Sequence, residues 1–518
     1  MKRKIILLAI LLIPSVLGLG RYPVVWAQSP LSWSVPILLS TNTRLPWFPD
    51  IAVDADGRIH VVYDTRDIPV GGGEVLPGIM YTVYKDGAWQ LPNDLLVGKS
   101  GNIFRPAIVA DRWGNLHLTY LGIEYQRASV SEAYAATAWH RHVLDNGNTY
   151  MSDVAVSSNG FVHVVYERWV LLKEPIRTER GNEIVGLSDI FYRRSADGGR
   201  TWTAPVNLSR TTEVGSYRVQ IKIDANDVIH VTWDEGWDRW SLYDTPREGV
   251  YICSADGGQT WSEPVLFSKP ERTNAQMAAA SDNGRGVLAI WRPTTIDRIY
   301  YAWSIDRGST WSEPREVPGL YARAYNDTTF DAYDMGTDSA GHIHLVAVGR
   351  SRLPENVGLR VPLGVYHLTW DGESWSKPEL IAEYKEDEGF PEYPKLAISE
   401  GNQLHVVWFV RDQQWGGEYY RIFYSHAESP APRQTPIPTP TATPIATPTW
   451  TPVPPPTPTP FPTLDPTTTG LPEGLYTEND DLERFLLAIS PMIVLIGIVV
   501  AIKLGWIRRL WSILMHRW

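Results

Sequence analysis

The sequence predicts an all-β fold: a seven-bladed β-propeller closed by its N-terminal strand, followed by a Pro/Thr-rich stalk and a C-terminal transmembrane helix. Three observations predict it. One unit recurs through residues 28–428, each copy alternates apolar and polar residues with the period of a strand, and both ends of the chain differ in composition from this body.

The N-terminus reads as a secretory signal over residues 1–27. Lys2-Arg3-Lys4 precede the apolar run Ile5–Ile13, and Ala27 stands at the cleavage position before Gln28. An uncleaved N-terminal anchor is the alternative, and both readings carry the body out of the cytoplasm.

The repeated unit is an apolar stretch, a turn of Asp, Asn and Gly, then a short strand that usually opens with His. It runs Ile51-Ala52-Val53-Asp54-Ala55-Asp56-Gly57-Arg58-Ile59-His60-Val61-Val62-Tyr63 and returns around His117, His163, His230, Val287, His344 and His405. β-branched residues in both arms and turn formers between them make each pair a hairpin. A Tyr-rich strand and a tight turn ending in Trp follow, as in Ile79–Tyr84 and Asp189–Arg194, so each unit supplies the four short strands of one blade. The last unit ends at Tyr424-Ser425-His426 without its Trp strand. Ser32-Trp33-Ser34-Val35-Pro36-Ile37-Leu38-Leu39-Ser40 matches Thr260–Ser268 and is expected to complete it, covering an open sheet edge.

Three units carry Ser-x-Asp-x-Gly-x-Thr-Trp: Ser195–Trp202, Ser254–Trp261 and Ser304–Trp311. This resembles the Asp box of the sialidase-like (BNR repeat) β-propellers, and the resemblance covers the whole body. Its Asp (Asp197, Asp256, Asp306) can accept backbone N–H bonds across the turn. Its Gly (Gly199, Gly258, Gly308) permits positive φ, and its Trp (Trp202, Trp261, Trp311) packs between sheets. The resemblance implies that these turns lie opposite the active face. The same box occurs in binding propellers, so the fold alone does not assign an activity.

On the face away from the Asp boxes, the ends of the second strands hold Arg66, Arg168, Glu235, Arg292, Arg350 and Arg411. Guanidinium groups suit bidentate recognition of carboxylate or sulfate. The alternative is that they end strands and pair with neighbouring Asp. Aromatic loops follow, among them one with Trp237 and Trp240, whose rings suit stacking on sugars or simply cover the blade ends. A sialidase would add a Tyr nucleophile with a Glu partner, three arginines on the substrate carboxylate and an acid/base Asp. The resemblance offers Arg105 in Phe104-Arg105-Pro106-Ala107, Arg292 and Arg298 as arginines, and Tyr333 as the Tyr. Gln276 stands where the Glu is sought, and no acid/base Asp follows Arg105. The residues therefore leave three readings open: a propeller binding an extracellular acidic glycan or glycoprotein, an active exo-α-sialidase or related glycoside hydrolase, and a structural or protein-interaction module.

Residues 429–475 are dominated by Thr-Pro units and form an extended linker of polyproline type. Residues 484–505 form the transmembrane helix around the apolar run Phe485–Ile502, with acidic residues before it. Lys503, Arg508 and Arg509 follow it, which puts the basic tail 506–518 in the cytoplasm and the propeller outside. A net charge of −11 argues against nucleic acid, and the single Cys253 excludes a disulfide framework. The histidines recur once per blade and so are spread around the ring; neither a metal nor another cofactor is expected.

Overall fold

The computed structural model describes residues 30–435 except 99–103, 122, 178–182, 212–213, 237–246, 270–272, 324–332, 357–360, 386 and 413–418. The signal segment 1–27, Trp237, Trp240, the stalk beyond residue 435, the transmembrane helix and the tail lie outside the described residues. Among the described residues, no helix is long and apolar enough to cross a membrane.

The described residues are strands, turns and two single-turn 3-10 helices, and the strands form seven antiparallel sheets of four or five. In chain order, the first sheet is built from Pro46–Val53, Ile59–Gly71 and Glu74–Lys85 with two short outer strands. The second contains Ala107–Ala110, Asn115–Tyr120, Glu124–Ser129 and His140–Val143, and the third Thr149–Val156, Val162–Arg177, Glu183–Ser195 and Val206–Asn207. The fourth begins at Ser216–Ile223, the fifth at Asn274–Ser281 and the sixth at Leu320–Ala322 and Tyr333–Thr337. The seventh takes Phe390–Ser399, Gln403–Arg411 and Tyr420–Glu428 from the end of the body and Ile37–Leu38 from its start. There Ile37 pairs with Tyr424 and Leu38 with Phe423, and the Ser34 and Leu39 amides donate to the His426 and Ile422 carbonyls, each at 2.8 Å.

Alternation puts apolar residues on both faces of every sheet, so each sheet shares one core with the sheet before and another with the sheet after. Ile108, Leu116 and Leu118 of the second sheet pack on Val62 and Ile79 of the first. The same arrangement repeats from sheet to sheet, and Val407, Phe409 and Ile422 of the seventh close on Phe48, Val61 and Tyr63 of the first.

The repeated histidine is a buried fastener. His117 Nδ1 lies 2.6 Å from the Tyr125 hydroxyl of the next strand, and Nε2 lies 3.2 Å from Asp111 in the hairpin turn. His60 with Tyr81 and Asp54, His163 with Tyr192 and Ser157, and His405 with Tyr424 and Ser399 repeat the pattern. In the fifth sheet the register residue is Leu288, not Val287. Leu288 pairs with Ala280 as His60 pairs with Ala52.

The Asp-box turns then explain the tryptophans. The Asp197 carboxylate accepts the Thr201 amide at 2.8 Å and the Thr201 hydroxyl at 2.6 Å, which holds its pKa well below the usual carboxylate range. Asp256 and Asp306 do the same and are held at about 2. The turn delivers Trp202 edge-on to Tyr125 of the preceding sheet, with centroids 4.9 Å apart at 71°. Trp261 meets Tyr192 and Trp311 meets Tyr251 likewise. Trp89 reaches Tyr424 of the seventh sheet, and Trp33, from the start of the chain, reaches His367 of the sixth at 5.3 Å.

After Glu428 the chain crosses the hairpin-turn end of the sixth and seventh sheets. The Ser429 amide donates to the Asn402 carbonyl at 2.8 Å, the Gln434 amide to the Glu400 carbonyl at 2.7 Å, and Ala431 is buried.

Candidate functional site

The inner strands begin at the end of the molecule away from the Asp boxes, and among the described sheets most of them bulge there. The register shifts between Trp47 and Asp50, Ala275 and Ala278, Tyr217 and Gln220, and Glu392 and Lys395. At these shifts, and at the matching place ahead of the second sheet, a non-glycine residue takes positive φ: Phe48 (41°), Arg105 (49°), Arg218 (56°), Gln276 (58°) and Tyr393 (52°). Each such residue costs on the order of 1 kcal/mol and persists only where its surroundings hold it. For three of them the holder is a carboxylate of the preceding sheet. Asp64 accepts the Arg105 amide at 3.4 Å, Glu167 accepts the Arg218 amide at 2.7 Å, and Asp234 accepts the amides of Gln276 and Met277 at 2.8 and 2.9 Å. A buried acid in one sheet thereby aims the side chain that opens the next.

The aimed side chains meet. One cavity is lined by Arg105, Arg218, Tyr393 and Lys395 together with Asp50 and Asp153. The Arg105 guanidinium stands 4.3 Å over the Phe48 ring, with Nη1 2.6 Å from Met151 Sδ. Arg218 Nε is 3.6 Å from Asp234, and Lys395 Nζ is 4.7 Å from the Tyr393 ring centre.

Beneath this mouth three inner-strand carboxylates each reach across to the next inner strand. Asp50 accepts the Ile108 amide at 2.7 Å, Asp153 the Ile221 amide at 2.9 Å, and Asp334 the Leu396 amide at 3.0 Å. Burial pushes Asp50 up to about 7, against the pull of Lys395, and also raises Asp153. Burial acts on Asp334 too, yet Lys222, 3.1 Å away, and Lys395 bring it below its ordinary value. Near the same end, Arg323 and Arg411 both bind Oε1 of Glu392, which is raised by burial against their opposing pull.

Of the residues singled out from sequence, Arg105 stands in the cavity. Arg66 joins it through Phe104, since both guanidinium groups lie within 5.8 Å of that ring, and Arg66 also covers Trp47 at 4.7 Å. Arg411 is held with Arg323 on Glu392, and Arg292 is fully buried, 4.0 Å from Asp297. Arg298 belongs to another cluster, stacked with Arg352 on Tyr321 and paired with Glu316 at 3.3 Å. Tyr333 alternates with Asp334 and therefore faces the fifth sheet, where its hydroxyl donates to the Gln276 carbonyl at 2.6 Å. Arg168 pairs with Asp145 at 3.2 Å, and Arg350 is exposed opposite Tyr321. Glu235 accepts from Trp233 Nε1 at 2.6 Å and Ser216 Oγ at 2.9 Å, and burial raises it to about 7.

Arg218, Tyr393, Lys395 and Asp50 escaped the reading of the sequence, although a signal for them exists. Counting back twelve residues from the recurring histidine leads from His117 to Arg105, from His230 to Arg218 and from His405 to Tyr393. Among the described residues, no group of three or more His, Cys, Asp or Glu side chains is arranged to hold a metal.

Residues 177–406 match the BNR repeat-like domain. No match is found among curated proteins. Among solved structures, the chain is similar to a protein of unknown function from Dyadobacter fermentans (17% identity, 77% of this chain and 99% of that one, TM-score 0.45). It is also similar to the NanB sialidase of Streptococcus pneumoniae (13%, 77% and 71%, 0.40). A third is the α-L-arabinofuranosidase Arb93A of Fusarium graminearum (12%, 77% and 98%, 0.41). Asp-box turns, repeated antiparallel sheets and a BNR repeat-like match over residues 177–406 thus occur in one body.

Proposed function

We propose that the protein is a cell-surface propeller of seven blades, its ring fastened by the N-terminal strand, that binds extracellular acidic glycans at the axial mouth. The BNR repeat-like match over residues 177–406 supports a carbohydrate-related function. The seven sheets and the pairing of Ile37–Leu38 with Phe423–Tyr424 support the ring. The observation that carries the binding reading is the convergence of Arg105 and Arg218 beside Tyr393 and Lys395 in one cavity. Two guanidinium groups and an ammonium around this narrow cavity match a single carboxylate, with the sugar that carries it lying over the mouth. Surface display rests on the signal segment 1–27 and the apolar run Phe485–Ile502.

The test is binding of sialosides and uronosides to the full chain by calorimetry. Arg218→Ala is expected to weaken binding by tenfold or more, and Arg298→Ala to leave it unchanged. Equal affinity in Arg218→Ala and the unaltered protein refutes the assignment.

A second reading, glycoside hydrolysis, is favoured by Asp50. Its carboxyl, raised by burial to about 7 within the cavity, is protonated in about half of the molecules at neutral pH, as a group that gives and takes a proton needs. Hydrolysis of a fluorogenic sialoside or arabinofuranoside that disappears in Asp50→Asn would place this reading first.

A further inference from the structure

The sheets differ in how far their central hairpins rise on the face of the axial mouth. In the second sheet the ladder stops at Tyr120 opposite Glu124, three residues past His117. Its neighbours go much further. The first sheet pairs to Gly71 opposite Glu74, eleven residues past His60, and the third to Arg177 opposite Glu183, fourteen past His163. At about 3.3 Å per residue, the flanking hairpins overtop the second sheet by roughly 25 to 35 Å of strand. The second sheet is thus the floor of a groove with the first and third as its walls.

The inner end of the groove is Arg105, whose strand follows directly on Phe104 at the mouth. At the base of one wall the exposed Arg66 lies over Trp47 and Phe104. At the base of the other, Arg168 lies 5.2 Å over Phe191 and binds Asp145, in the segment that leaves the second sheet. The floor carries Tyr120 and Arg141, both bonded to Glu124. Towards the tips both hairpins expose apolar side chains, Val70 and Val75 on one and Leu171 and Val185 on the other.

We propose that this groove takes successive units of an extended acidic polysaccharide, with the carboxylate of one unit at the axial mouth and the next units running outward over the second sheet. The proposal rests on the glycan-binding reading of that mouth. Guanidinium groups set on aromatic faces along the base match a repeating carboxylate on a sugar backbone, and tall walls suit a chain that continues in place of a single terminal residue. Binding energy then comes from several units, so affinity depends on chain length.

The experiment measures affinities of the full chain for two size series, oligogalacturonides and α2,8-linked oligosialic acids of one to eight units. Three proteins are compared: the unaltered chain, a variant with residues 171–186 replaced by Asn-Gly, and Arg168→Gln, a partly exposed residue outside the cavity lining. The surface substitution keeps the test valid if the shortened hairpin fails to fold. In at least one series, affinity is expected to rise tenfold or more from one unit to six. Both variants should lose most of that gain while binding the single unit as before. A single unit that binds with no gain from length overturns the groove and leaves the mouth reading intact. A gain that survives in both variants also overturns the groove. No binding by any member of either series overturns the mouth reading and the groove with it.

Discussion

Gly258 and Gly57 offer a clean comparison, because their backbones are nearly the same and their surroundings are not. Their φ angles are +80° and +78°. A Cβ on Gly57 meets nothing within 4 Å, whereas one on Gly258 overlaps the Tyr192 hydroxyl and ring. Gly57→Ala therefore carries only the left-handed backbone strain, about 1–2 kcal/mol. Gly258→Ala adds the displacement of Tyr192, which costs about 1–3 kcal/mol as overpacking. Moving that ring also breaks the 2.7 Å contact with buried His163 and the 5.0 Å edge contact with Trp261. A buried polar group left without its partner costs about 1–3 kcal/mol more. The expected totals are about 1–2 kcal/mol for Gly57→Ala and about 3–8 kcal/mol for Gly258→Ala. Both are read from urea unfolding followed by Trp fluorescence, with the slope of the transition checked in each variant. Tyr192→Phe in the Gly258→Ala background removes the nearest overlapping atom and the bond to His163 that the first substitution already breaks, so the double variant should lose less than the sum of the two single losses. Equal losses in the two glycine variants, or fully additive losses in the double variant, would refute the view that the Asp-box turn works by close seating on the preceding sheet.

Other consequences are open to measurement. Deleting residues 30–40 removes Trp33 and Leu39 and uncovers the edge of Tyr420–Glu428; a lower unfolding midpoint and self-association on size exclusion are expected. A truncated chain that stays monomeric with an unchanged midpoint would count against it. Burial lowers His163 and His344 from 6.5 to about 4 and His405 to about 3. The fold prefers these rings neutral, so their contribution is complete above pH 6.5 and is lost as pH falls through 4. Ser157→Asp would give His163 the carboxylate that His60 has in Asp54. The variant should gain about 1–2 kcal/mol over the unaltered protein as pH drops from 6.5 to 4, a gain measured by urea unfolding at each pH. A pH-independent difference would sink that account.

The repeat was legible because folding needs the same local chemistry each time: a turn-forming Asp or Ser, a histidine six residues on, and a tyrosine in the next strand. Asp111, His117 and Tyr125 are recognisable in sequence since each satisfies the others within one sheet. The mouth was less legible because its residues are fixed between sheets. Arg218 owes its left-handed backbone to Glu167, 51 residues earlier, and nothing near Arg218 in the sequence announces that bond. Tyr333 shows the opposite failure. Its place at the start of an inner strand was readable, but strand alternation turns it toward Gln276 and away from the side that carries Asp334. Repeated chemistry within a sheet is a local property, and the site is a property of the bulges and bonds that join sheets.

The last sheet draws its outer strand from the first residues of the body, and this sets an order of events in synthesis. The Ser34 hydroxyl accepts the amide of His426, a partner 392 residues away. At about 5–20 residues per second, roughly 20 to 80 s separate the emergence of the two. During that interval the first sheets can assemble one upon another, while the segment around Trp33 waits for its partner strand to be made. Nascent chains growing side by side can then trade these segments, each chain finishing the other's last sheet. The same seam that fastens a single molecule is therefore the place where a domain-swapped dimer would form at high local concentration.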